Sequence, residues 1–126
     1  MHTAIHTASA PAAIGPYSQA IAAGNTIYVS GQIPIDPATG IFAGDDIVTQ
    51  TRQSLTNLKS ILAAAGADMS DVVKTTVYLA HMEDFAAMNQ VYAEFFTAPY
   101  PARAAFEVAT LPKNAMVEIE CVAVKA

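Results

Sequence analysis

The chain has 126 residues, of which 53% are hydrophobic and 13% charged, with a net charge of −5 and one cysteine. Charged residues fall well below the ~25% usual in soluble domains, mean hydropathy is +0.33, and the pI is about 4.9. No apolar run nears the ~18 residues of a spanning helix, one cysteine cannot form an internal disulfide, and six scattered cations offer no phosphate-binding stripe, which argues against membrane, disulfide-scaffold and nucleic-acid-binding proteins. The N-terminus, MHTAIHTASAPAAIGPYSQ, lacks the basic and apolar regions of a signal peptide. The length fits one domain over residues 1–126, and the apolar excess fits burial between subunits of an oligomer. A lone cysteine also suits a reducing, cytoplasmic location.

In chain order, QAIAAGNTIYVSGQI reads as a hairpin about Gly24-Asn25. DPATG, from Asp36 to Gly40, reads as a turn, with proline early and glycine late. A helix follows, capped by Asp45 or Asp46 and ended by Gly66. Val48, Thr51, Leu55, Leu58, Leu62 and Ala65 recur at helical spacing and predict its buried stripe. DVVKTTVYLA alternates β-branched residues as a strand does, and MEDFAAMNQVYAEFF returns to helical spacing through Phe85, Met88, Tyr92 and Phe95. ARAAFEVATLP and NAMVEIECVAV read as two further strands, here expected to pair as a hairpin. Two amphipathic helices and about six strands predict an α+β fold, one sheet with its helices on one face.

Alternation in the last strand assigns Val117, Ile119, Cys121 and Ala123 to the core, and Met116, Glu118, Glu120 and Val122 to the other face. The same parity, with Phe106 and Val108 taken as core, puts Arg103 on the face of the two glutamates. Arg103 is the only charged residue between Glu94 and Glu107. Its planar fork suits a carboxylate gripped by two parallel bonds. Two readings remain open at this point: an internal or intersubunit Arg–Glu pair, or an anchor for a substrate carboxylate with a glutamate nearby to handle protons. Glu120, which shares that face, reads as structural. The three histidines and the cysteine show no metal-ligand spacing.

PAAIGPYSQA (11–20), VSGQIPIDPATG (29–40), RQSLTNLKSILAAAG (52–66), DVVKTTVYL (71–79) and above all PARAAFEVATLPKNAMVEIECVAV (101–124) resemble the Rid (YjgF-type) reactive-intermediate deaminases over nearly the whole chain. The resemblance implies a six-stranded, mostly antiparallel, chorismate-mutase-like sheet, assembled as a homotrimer with active sites between subunits. It implies hydrolysis of enamines and imines such as 2-aminoacrylate and 2-aminocrotonate to 2-keto acids and ammonia, with no cofactor and no metal. It places the carboxylate-binding arginine at Arg103, the water-handling glutamate at Glu118 and a further catalytic residue at Tyr17. The rest of the substrate pocket falls on Ser30, Gly31 and Asn89. Ala105 stands where many members carry cysteine; imine hydrolysis by water needs no thiol. The other readings weighed are a non-catalytic carboxylate-binding trimer, a chaperone-like trimer and a ribonuclease, the last disfavoured by the acidic charge.

Overall fold

The structure, a computed structural model, describes residues 1–126. Six strands, β1 (His2–Ile5), β2 (Ala20–Ala23), β3 (Thr26–Gln32), β4 (Val72–Leu79), β5 (Ala102–Glu107) and β6 (Val117–Val124), form one sheet in the order β1-β2-β3-β6-β4-β5. Only the β4–β5 pairing is parallel. The connection between β4 and β5 runs through α2 (Phe85–Phe95), as parallel neighbours require. The longer helix α1 (Ile47–Ala64) links β3 to β4.

Local chemistry accounts for most of the boundaries. Ala23 pairs with Thr26, so Gly24-Asn25 is the two-residue turn, with Gly24 at a φ of 59°. Asp46 caps α1 by accepting a 2.8 Å bond from the Thr49 amide, and Gly66, at a φ of 78°, lets the chain leave the helix. The buried stripe of α1 runs through Thr51, Leu55, Leu58, Ile61 and Leu62, while Val48 lies outside it and is exposed. In α2 the buried residues are Met88, Val91 and Tyr92, with Phe85 and Phe95 packed beside them. These helices cover Ile27, Val29, Val77, Leu79, Val117, Ile119, Cys121 and Ala123 in one continuous core. The opposite sheet face has no covering element, and Tyr28, Phe106 and Val124 are exposed on it.

Two sequence expectations are corrected here. β5 and β6 do not form a hairpin: β6 inserts between β3 and β4, and β5 becomes the edge strand beyond β4. The face of Arg103 is also reversed. Arg103 is in register with Thr75, and Thr75 with the core residue Cys121, whereas Phe106 aligns with Tyr78 and Glu118. Arg103 therefore points to the helix side, and Glu118 and Glu120 to the open side. The physical reason is that an edge strand with one helix beside it has little core to fill. Ala105 suffices on the inner face, and Phe106 packs on the outer face, edge-on to Tyr78 with ring centroids 5.3 Å apart. β1 was not anticipated; its pairing with β2 gives the terminal His2 a strand position.

Candidate functional site

The structure gathers the predicted residues into two groups. The first surrounds Arg103. Its Nη1 donates a 2.7 Å bond to Asn89 Oδ1, and its guanidinium carbon lies 4.8 Å from the Tyr92 ring centroid and 5.4 Å from that of Phe85. Phe85, Asn89 and Tyr92 share one face of α2 because they are spaced by four and three residues. Asn89 and Tyr92 line an open cleft of about 500 Å3 with Ala93, Tyr100, Pro101 and Arg103. The only ion pair in the chain is Arg52–Glu94, at 2.9 Å, so no carboxylate neutralises Arg103. Its one hydrogen bond uses one donor of five, which leaves donors of the fork free. Tyr92, hydrogen-bonded to Thr75 at 2.7 Å, has its hydroxyl pKa raised by burial against the opposing pull of Thr75 and Arg103.

The second group surrounds Glu118. A β-bulge between Val29 and Gln32 places Ser30 and Gly31 beside β6. A Cβ added to Gly31 would lie 2.9 Å from Glu118 Cδ, so the missing side chain is where the carboxylate rests. Ser30 Oγ donates to the Ser18 carbonyl at 2.6 Å, which ties the segment after Tyr17 to β3. Tyr17 itself is exposed and shares a cleft of about 360 Å3 with Gly31, Pro112 and Lys113. Burial raises the Glu118 pKa, and the charge of Glu120 adds to the shift. Glu120 accepts a 2.9 Å bond from the Tyr78 hydroxyl.

Asn89 thus joins Arg103, and Gly31 joins Glu118, whereas Arg103 and Glu118 are separated by the sheet itself. Sequence reasoning missed Tyr92 and Phe85 as the aromatic bed of the arginine, since both were read as core. Their shared helical face with Asn89 was the available signal. A cleft of about 570 Å3 between α1 and the end of α2, bordered by Arg52 and Glu94, contains none of the predicted residues. Cys121, in register with Thr75 behind the arginine group, is buried in the core, and burial pushes its thiol pKa up to about 12.

Fold and site together define an α+β protein with an unpaired arginine at the sheet edge and a half-buried carboxylate on the opposite face. The chain belongs to the endoribonuclease L-PSP (YjgF/Rid) family, whose model matches residues 7–125. It is 57% identical over 125 residues to a RutC family protein of Pyrococcus horikoshii, covering 99% of each chain. It is 54% identical over 121 residues to the 2-iminobutanoate/2-iminopropanoate deaminase of Capra hircus, covering 96% of this chain and 88% of that protein. The crystal structure of Escherichia coli TdcF with bound serine superposes with a TM-score of 0.94 at 44% identity, covering 98% of this chain and 99% of that one. No helix is long and apolar enough to cross a membrane.

Proposed function

We propose that this protein is a 2-iminobutanoate/2-iminopropanoate deaminase, acting as a homotrimer whose active sites lie between subunits. The observation that carries the reading is the unpaired guanidinium of Arg103, held by Asn89 and two aromatic rings with part of its fork free. A small 2-imino acid presents a carboxylate that the fork binds through two parallel bonds, fixing C2 in space. The relatives named as deaminases and the serine bound to TdcF, itself an amino-acid carboxylate, support this ligand class.

The chemistry begins with tautomerisation of the enamine to the imine. Water adds to C2 while the Glu118 carboxylate accepts a water proton, giving a tetrahedral carbinolamine. The proton held by Glu118 and then the carbinolamine hydroxyl proton pass to nitrogen, the C–N bond breaks, and ammonia leaves as the C2 carbonyl forms. A glutamate with a raised pKa is suited to accept and return a proton near neutral pH. Because Arg103 and Glu118 of one protomer face opposite sides of the sheet, both reach one substrate only if a neighbouring copy supplies Glu118, with Tyr17, Ser30 and Gly31 beside it.

The test is a coupled assay in which a serine or threonine dehydratase generates the enamine and keto-acid release is followed. Wild type accelerates release; Arg103→Ala and Glu118→Gln each do not. After unfolding and refolding together, the two inactive variants form mixed oligomers that regain part of the activity, since some interfaces then carry both intact residues. No acceleration by wild type over several amino-acid precursors rejects the deaminase. Activity without recovery in mixed oligomers rejects the shared site. An RNA-cleaving activity finds little support: Arg52 is paired with Glu94 and the remaining cations form no stripe.

A further inference from the structure

The buried face of α1 is more polar than packing requires: Gln50, Thr51, Ser54 and Asn57 are all buried on it. Gln50, only 3% exposed, uses both ends of its amide on backbone. Its Oε1 accepts a 2.8 Å bond from the Met116 amide, and its Nε2 donates a 3.0 Å bond to the Gly44 carbonyl. One side chain therefore joins the loop before α1 to the segment entering β6. Two turns further along, Asn57 donates to the Ile35 carbonyl at 2.9 Å and is itself held by Gln53 at 2.8 Å. The helix thus grips chain on both sides of the Gly31–Glu118 contact: Ile35 just beyond Gly31, and Met116 two residues before Glu118.

The Met116 bond follows a strained turn. Lys113 and Asn114 have φ values of 55° and 58°, a left-handed conformation that is costly for residues with a Cβ. Such backbone persists where its surroundings hold it, and it collects at functional sites. Lys113 and Pro112 of this turn are also walls of the cleft that contains Tyr17 and Gly31. The bonds within the turn, Asn114 to Leu111 at 3.0 Å and Ala115 to Pro112 at 3.1 Å, do not tie it to the rest of the fold. Gln50 does.

We propose that Gln50 is a positioning residue, whose amide fixes the 112–116 turn and the start of β6 and so sets where the Glu118 carboxylate stands. This rests on the reading of Glu118 as the water-handling group. Gln50 touches neither substrate nor reacting atoms. A leucine or methionine would fill its volume equally well; what would be lost is the pair of bonds to Met116 and Gly44.

Two measurements on the full chain test this. Gln50→Met keeps volume and removes both bonds, Gln50→Glu keeps the acceptor for Met116, and Leu58→Ala destabilises the same helix from its buried side without touching the turn. In amide hydrogen exchange, Gln50→Met speeds exchange over residues 113–118, and Leu58→Ala does not do so selectively. In steady-state kinetics, well below the lowest melting temperature, Gln50→Met lowers kcat by up to about 100-fold, the loss expected when a remote change misplaces a catalytic group by about an ångström. KM changes less than about twofold, because Arg103 still binds the carboxylate. Gln50→Glu recovers part of the loss, and Leu58→Ala keeps kcat within about twofold of wild type while melting earlier. A wild-type kcat in Gln50→Met, or an equal loss in Leu58→Ala, overturns the proposal. Absence of imine hydrolysis by wild type overturns instead the reading of the site, and the exchange comparison still decides whether Gln50 holds the turn.

Discussion

At the scale of single residues, Arg103 and Glu118 have opposite electrostatic situations. Arg103 is exposed and paired with no carboxylate, so its contribution is geometric: a fork held over Tyr92 and Phe85, its carbon 4.8 and 5.4 Å from the ring centroids. Lysine at 103 keeps the charge and loses the second bond and the stacking. Arg103→Lys should therefore lower kcat/KM by an amount equivalent to about 2–5 kcal/mol, mostly through KM. Near-wild-type kcat/KM in the dehydratase-coupled assay would mean that a point charge suffices. Glu118 is shifted by its surroundings, which disfavour the charged form through burial first and the Glu120 charge second. A carboxyl whose pKa rises on folding gives stability that is full below its unfolded pKa and is lost as pH rises through the folded one. As a base, Glu118 acts only once ionised. Glu120→Gln removes the like charge and keeps an acceptor for Tyr78. It should move the acidic limb of the kcat/KM profile to lower pH and lessen the stability lost on going from acid to neutral pH. A limb that stays in place would uncouple the two glutamates.

At the scale of elements, the meeting of β3 and β6 decides where the carboxylate rests. Gly31 has no positive φ that would exclude a side chain; what excludes one is Glu118 itself. Gly31→Ala should consequently lower both kcat and melting temperature, with kcat falling up to about 100-fold if the carboxylate shifts by an ångström. In a Glu118→Ala background the same substitution should cost little stability. A double-mutant cycle by thermal melting checks this, and additivity would place the cost elsewhere. The sequence made these elements legible because their signals are local: the Gly24-Asn25 turn, the Asp46 cap, the helical stripe around Leu55 and Leu58, and the alternation from Val117 to Ala123 all survive in the structure. What stayed hidden depends on strand order. Nothing near Arg103 states that β6 will pass between β3 and β4, or that β5 will become an edge on which phenylalanine faces outward. Parity within β5 was readable, but its sign was not, because the usual rule that the larger apolar residue faces the core fails on an edge strand. The resemblance named Arg103, Glu118, Gly31 and Asn89, yet it could not show that the sheet divides them into two groups.

At the scale of the whole molecule, that division and the uncovered sheet face point to one arrangement. Helices bury one side of the sheet, while the other presents Tyr28, Phe106 and Val124 among the half-buried Tyr78, Glu118, Glu120 and Val122. Exposed apolar side chains on an uncovered sheet face are costly in water, and a second copy of the chain covering them removes that cost. The same contact can bring the Glu118 face of one protomer to the Arg103 cleft of another, so assembly and catalysis should fail together. Phe106→Glu tests this without touching either group, since Phe106 contributes only its exposed ring against Tyr78. The variant should sediment as a 13.2 kDa monomer, retain a cooperative melting transition because its core lies on the other face, and lose imine hydrolysis. A folded monomer that stays active would mean that one protomer brings Arg103 and Glu118 to the substrate unaided, which the sheet between them opposes. A Phe106→Glu variant that still sediments as an oligomer would place the subunit contact off this face.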